Sequence, residues 1–402
     1  MKMKFIVASV LAAAASLSAQ AGTLGDGNLS ISGFGTVAAA KTNTDDVKFV
    51  RYNQAEGVGD SPRLGLDTNL GLQASYQATP DLSATVQVLS RKSTSQQFTT
   101  ELTWAFLKYK LNDETSVRLG RTVIPAFLIS DYQNVGYANT MMRPPIELYG
   151  QEPLESVDGA DVNWQHSFGD TNVTVQGVVG KSSGKLFVAA GGTGSVTHYD
   201  APVYGFAVTA EHGPITVRAA HLRAKVEVND FVLLNGLTDN LTKFGFGQLA
   251  NDMTTKGGKH MSFTEIGATL DWKNIVGQAE YAQRRAQDAV YVPQTNAWYV
   301  MGGYRFGKVL PYYAHAHYNG ANQKITAPAL PAALAVPVAA FLTSASQSSD
   351  LVGVRWDFAK SLALKVQYDR VNPTSKSGSL VYGPAVYNKK VNVIAAGVDF
   401  VF

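Results

Sequence analysis

The chain has 402 residues and no cysteine, so no disulfide can brace it and no thiol can act as a nucleophile. Its 34 basic and 31 acidic side chains nearly balance, which leaves no global field to draw nucleic acid. Past the N-terminal segment no apolar run reaches the roughly 18 residues of a membrane-spanning helix. A mean hydropathy near zero then fits either a water-soluble protein or a barrel whose strands are half apolar.

The first 21 residues read as a signal peptide. Lys2 and Lys4 precede the apolar stretch Phe5 to Leu17, and Ala19-Gln20-Ala21 supplies a small-residue cleavage pattern. The mature chain is expected to start its first strand by about Leu29. From Arg63 to Gln77 the side chains alternate. Leu64, Leu66, Leu70, Leu72, Ala74 and Tyr76 share one face, and Arg63, Asp67, Asn69, Gln73, Ser75 and Gln77 share the other. Such a strand is too polar on one side for a sandwich core and too apolar on the other for water. It fits a wall with lipid outside and a wet lumen inside. The same period continues with Ala84, Val86 and Val88 against Thr85, Gln87 and Arg91, and it places Arg118 on the lumenal face. Lys108 and Arg121 stay ambiguous, because a bulge would turn either to the other side.

Residues 124–156 break the pattern. Pro125 ends the strand ladder by removing a donor. Phe127, Leu128, Ile129, Tyr132, Val135, Tyr137, Met141 and Met142 are too apolar for a freely solvated loop, yet Asp131, Arg143, Glu147, Glu152 and Glu155 lie among them. Alternation then resumes. Val173, Val175 and Val179 oppose Asn172, Thr174 and Gln176; Ile266, Ala268, Leu270 and Trp272 oppose Glu265, Thr269 and Asp271; Ala279 and Tyr281 oppose Gln278, Glu280 and Arg284. His315 and His317 share a face that reads as lumenal. No neighbouring sequence completes a metal-ligand set, so they are read as lumenal polar residues, with no metal. The Ala/Pro-rich segment 327–340 is expected to be an external loop. Val352, Val354, Trp356 and Phe358 oppose Arg355 and Asp357, and Leu364, Val366 and Tyr368 oppose Lys365, Gln367 and Asp369. The last strand sets Ile394, Ala396, Val398, Phe400 and Phe402 outward with Asp399 inward.

Connection lengths sort by side. Thr79-Pro80-Asp81, Asn112-Asp113-Glu114, Gly169-Asp170, His212-Gly213-Pro214, Lys273-Asn274, Gly307-Lys308 and Ala359-Lys360 make short turns. Between them lie long links near 41–60, 92–99, 124–156, 181–201, 227–260, 285–295, 319–349 and 371–390. Aromatics such as Tyr76, Trp164, Trp272 and Trp356 gather beside the short turns, where a girdle belongs. The expected fold is all-β: residues 22–402 form one transmembrane antiparallel β-barrel of about 16 strands, with short periplasmic turns and long external loops.

Three features together resemble the Gram-negative outer-membrane porins, of the general-diffusion type: "SVRLGR" at Ser116–Arg121 leading into the third long link, the alternation of short turns and long loops, and the terminal "VDFVF". The resemblance implies a barrel of about 16 strands embedded in outer-membrane lipid, usually a homotrimer, that passes small hydrophilic solutes and ions by diffusion past an inward-folded third loop. It also implies that Phe402 and Phe400 form the signal read by the barrel-assembly machinery. A Pro-Glu-Phe-Gly-Gly-like third loop is missing here, which points to another branch of the family. The constriction is expected to set Asp131 and Glu147, with Arg143, across from Arg63, Arg91 and Arg118. Glu280, Arg284, His315, His317, Arg355, Asp357, Lys365 and Asp369 are expected to line the lumen. Trimer contacts are expected at Gly33, Gly35 and Ala38. No cofactor and no nucleic-acid partner is expected, and no Gly-x-Ser-x-Gly or His-Glu-x-x-His motif occurs. A substrate-specific channel is the alternative, and an outer-membrane hydrolase is the alternative of another class.

Overall fold

Period-two alternation produces strands that pair with their sequence neighbours all the way round. The structure is a computed structural model that describes residues 22–24, 27–152, 154–190, 193–321, 328–375, 377–383 and 389–402; the signal-peptide reading of residues 1–21 lies outside them. The 16 long strands are β1 Leu29–Thr42, β2 Asn69–Gln77, β3 Leu82–Arg91, β4 Thr99–Lys110, β5 Thr115–Val123, β6 Ser156–Phe168, β7 Thr171–Ala190, β8 Thr193–His212, β9 Ile215–Val228, β10 Lys259–Trp272, β11 Ile275–Ala286, β12 Gln294–Tyr304, β13 Val309–Ala321, β14 Ser346–Ala359, β15 Leu362–Pro373 and β16 Val391–Val401. Every pairing is antiparallel. β16 closes on β1 with Phe34 opposite Val401 and Thr42 opposite Val393. Closure removes the free edges that an open sheet of this width would present to lipid, where an unpaired backbone group has no water to bond.

The outer face carries the apolar residues expected of it. Leu72, Leu107, Leu119, Val162, Val179, Ile266, Val300 and Val352 are all exposed, here to lipid. The expected short turns are also present: Gly169, Gly213, Lys273, Gly307 and Ser361 each supply the positive φ that a tight turn needs. Gly33 and Gly35 face outward beneath the rings of Phe402 and Phe400, and a Cβ on either glycine would lie 2.2 or 2.5 Å from those rings. The patch expected to pack against another copy is therefore covered by the chain's own C-terminal strand, and Ala38 faces the interior, buried.

Two expectations about external segments are corrected. Residues 181–201 are not a loop. β7 and β8 run on as a paired ribbon from Lys181–Pro202 to Ala190–Thr193. At 20 residues each they exceed the roughly 9–11 that cross a bilayer, and above it the pattern inverts. Lys181, Asp200 and Arg223 point outward into water, and Val203, Leu222 and Val226 point inward, buried. The Ala/Pro-rich segment likewise contains a helix. The helices are α1 Ile146–Tyr149, α2 Val232–Lys243, α3 Gly247–Met253 and α4 Ala332–Leu342. Leu334 and Val338 of α4 pack with Leu234, Leu241 and Met253 in a small apolar cluster outside the barrel.

Candidate functional site

The third long link, residues 124–155, folds into the barrel and is held on most sides. Its first part is an apolar seat: Ile124, Phe127, Leu128, Ile129, Met141 and Leu148 join one cluster with wall residues Val178, Phe263, Ala297, Tyr299, Tyr312 and Leu351. Each such side chain contributes about 1.5–3 kcal/mol when buried, which explains why so apolar a loop leaves the solvent. Phe127 stacks on Tyr149 at 4.5 Å and meets Phe263 edge-on at 5.2 Å.

Polar anchors fix the loop's height. Glu280 of β11 accepts the Leu128 amide at 2.9 Å, the Tyr149 hydroxyl at 2.6 Å and the Tyr299 hydroxyl at 2.7 Å. Lys365 of β15 donates to the carbonyls of Gly136 at 2.7 Å, Asn139 at 2.5 Å and Met141 at 3.0 Å, and pairs with Asp399 at 2.8 Å. Arg355 donates to the Tyr137 and Asn139 carbonyls at 2.7 and 2.9 Å and pairs with Asp357. Arg284 donates to the Gln151 carbonyl at 2.5 Å. These four, with Asp357 and Asp369, stand on the inner face. Their main task in the fold is to hold loop backbone. Gly136 sits so close to the wall that a Cβ would lie 2.3 Å from Asp399 Oδ1 and 2.4 Å from Thr36 Oγ1.

Of the three loop residues expected to face the passage, only Asp131 is exposed. Arg143 is buried in a clamp: Nε and Nη2 donate to Asp67 at 2.8 and 2.7 Å, and Nη1 donates to Asp369. Burial raises the Asp67 carboxyl, but the Arg143 charge and hydrogen bonds outweigh it and leave it below the usual range. Glu147 is buried against β14, where its Oε1 accepts from Gln347 at 2.6 Å and from Ser349. Neither reaches the passage, because a carboxylate or guanidinium this deep is held by its partners. Gln347, Ser349 and Tyr299 are the partners that went unassigned in the sequence. Asp67 was read on the polar face of its strand, but its pairing with Arg143 required the loop path.

The opposing wall is also redistributed. Arg91 borders the same cavity as Asp131 and pairs with Glu155 at 2.5 Å and Glu101 at 3.2 Å. Arg118 lies lower on the inner wall and pairs with Asp161. Arg63 belongs to the outer mouth: it is more than half exposed and pairs with Glu56 at 2.6 Å. A bulge in β4, at the register shift beside Gln87, settles one ambiguous position. It sets Lys108 opposite Arg118 on the inner face, exposed and without an ion pair among the described residues. Arg121, the other, bonds Asp158 at 2.7 and 2.5 Å. His315 and His317 are corrected outright. Ala314 and Ala316 hold the inward positions, fully buried. The histidines stand on the outer face beside Trp298, with His315 bonded to Asp350 at 2.8 Å.

Open space remains on both sides of the loop edge formed by residues 130–140. Outward of it is a cavity of about 580 Å³ bordered by Gln87, Arg91, Glu101, Trp104, Asp131 and Asn134. On the periplasmic side is one of about 390 Å³ bordered by Tyr132, Tyr137, Asn139, Thr140, Gln278 and Arg355.

Comparison with known proteins agrees with this architecture. The family model described as phosphate-selective porin O and P matches residues 50–329. Among solved structures, OmpT of Vibrio cholerae in its trimer form is 13% identical with a TM-score of 0.54, covering 93% of this chain and 99% of its own. An anion-selective porin from Comamonas acidovorans is 13% identical with a TM-score of 0.53, covering 93% and 99%. OmpF of Salmonella typhi, in complex with daunomycin, is 15% identical with a TM-score of 0.54, covering 93% and 97%. At these identities the structures share the fold. No curated protein matches the chain in sequence.

Proposed function

The chain belongs to the phosphate-selective porin O and P family, an outer-membrane channel, and on that premise we propose that it passes small hydrophilic anions, inorganic phosphate among them, between its third loop and the wall of β2–β6. The observation that carries this reading is the pair Lys108 and Arg118. Two cations lie directly opposite each other on the inner wall, and among the described residues a single carboxylate, Asp161, answers them. Like charges so placed are unfavourable without a counterion, and an oxyanion arriving from the lumen relieves them. Near the loop edge Arg91 is offset by Glu101 and Glu155, so the excess positive charge lies at the lower level. The loop edge at residues 131–140, with Asp131 turned to the water, is the constriction in this reading.

The protein acts as a non-enzymatic channel, which membership of a porin family supports. It assembles as a homotrimer, consistent with the trimer form of the Vibrio cholerae structure that shares its fold. The deciding experiment is the reversal potential of single channels in a potassium salt gradient, with chloride and then phosphate as anion. Anion preference in the wild type should fall or invert in Lys108→Glu. If Lys108→Glu leaves the reversal potential unchanged, the lower wall does not select charge and the reading fails.

A further inference from the structure

Above the third loop, the inner faces of β7–β10 enclose a second kind of space. It is a cavity of about 220 Å³ whose lining is mostly aliphatic and aromatic: Leu186, Val203, Leu222, Val226, Met261 and Phe263 contribute to it. Phe231 and Tyr291 border it where the external helical cluster begins. A passage for hydrophilic solutes has no use for such a surface, since apolar walls offer a hydrated ion nothing in exchange for its water. The cavity also has an ionic end, where Glu152 and Arg284 border it. Arg284 spends Nη1 on the Gln151 carbonyl and Nη2 on the Pro293 carbonyl at 3.2 Å, both neutral acceptors. Its Nε is buried and has no partner. Burial pushes the Glu152 carboxyl up to about 7, and its Oε1 is occupied by the Leu154 amide at 3.0 Å, so it cancels the guanidinium only in part.

We propose that this cavity binds a small apolar carboxylate, with a ring or short chain among the aliphatic side chains and its carboxylate on Arg284. Size agrees: an apolar cavity of about 150 Å³ takes a benzene ring, and this one has room for a ring bearing a carboxylate. The combination of a mostly apolar chamber and one fixed cation is that of a ligand pocket, in which apolar contact supplies affinity and a polar group sets orientation. A solute held there stands on the outer side of the loop, ahead of the constriction. The inference concerns a solute class different from that of the lower wall and does not rest on the anion-passage reading.

The test is calorimetric titration of the purified full chain in detergent with three probes: benzoate, benzyl alcohol and acetate. Benzoate should bind with measurable heat, benzyl alcohol more weakly and acetate not at all. Arg284→Gln should weaken benzoate by roughly ten- to a hundredfold, the loss of a charge-assisted bond, and should weaken benzyl alcohol much less. Leu222→Trp, which fills the cavity from the barrel wall, should abolish binding of both ring compounds. Equal behaviour of benzoate and acetate, or benzoate binding that survives Leu222→Trp, would overturn the proposal. Calorimetry reads the site whether or not the channel conducts, so a failed conductance experiment would count against the porin reading alone.

Discussion

Arg143→Met removes the guanidinium and keeps most of the side-chain volume, and its consequence follows from the clamp. The arginine is 1% exposed in its side chain and faces two buried carboxylates, Asp67 at 1% and Asp369 at 4% exposed. Deleting the cation strands Asp369 and leaves Asp67 with only the looser Arg51 pair at 3.7 Å. Breaking a buried pair in this way costs about 3–5 kcal/mol, far more than an exposed pair is worth. At 1.4 kcal/mol per decade that is roughly a hundredfold to several thousandfold in the ratio of seated to unseated loop. The Glu147, Glu280 and Lys365 anchors remain, so the segment around Met142 to Pro145 should loosen first. Single-channel recording should show larger mean conductance with added open-state noise, and thermal unfolding in detergent should shift down. The triple variant Arg143→Met, Asp67→Asn, Asp369→Asn removes the stranded charges along with the cation, and it should recover part of the stability and quiet the noise. If the single variant conducts and melts like the wild type, or if the triple variant is no better than the single, the clamp does not seat the loop and the argument is refuted.

Three further outcomes are expected. Gly136→Val forces a Cβ into the space held by Asp399 and Thr36; overpacking of this kind costs about 1–3 kcal/mol, and the variant should change conductance while the barrel's β-sheet circular dichroism is retained. The Arg143 clamp holds Asp67 below its unfolded value of about 3.9, so its contribution is complete above about pH 4 and is lost as pH falls through the depressed value. Channel noise should therefore rise on acidification below pH 4, and should be insensitive to acid in the triple variant. Phe402→Ala removes the ring that covers Gly33 at the closing seam while leaving the paired backbone bonds between Gly33 and Phe402, both 2.9 Å. The heat-modifiable folded fraction on a denaturing gel should drop, and an unchanged fraction would show that the seam does not need the ring.

The strand ladder was legible because its signal is local. In Leu70, Leu72 and Tyr76 against Asn69, Gln73 and Gln77, a period of two is written directly into the chain, and lipid outside with water inside leaves a single acceptable register. Turns such as Gly169-Asp170 and Lys273-Asn274 were equally readable, because only certain residues tolerate their backbone angles. The same reasoning reversed His315 and His317. It assumed that polar means inward, and that rule fails on β13, as it does where β7 and β8 rise beyond the bilayer into water.

The amino-acid sequence by itself determined that this is a membrane barrel of about 16 strands and where its short turns fall, consequences of periodicity, turn chemistry and length, while the entry of the third long link into the lumen was what the resemblance to porins implied. Only the tertiary structure decided what the charges of that segment do. Asp131, Arg143 and Glu147 look alike in a loop without a period, and their fates separate once the backbone path puts Asp67 and Asp369 beside one, Gln347 and Ser349 beside another, and water beside the third. A loop's conformation is set by partners 76 to 226 residues away in the chain, and no local pattern records them.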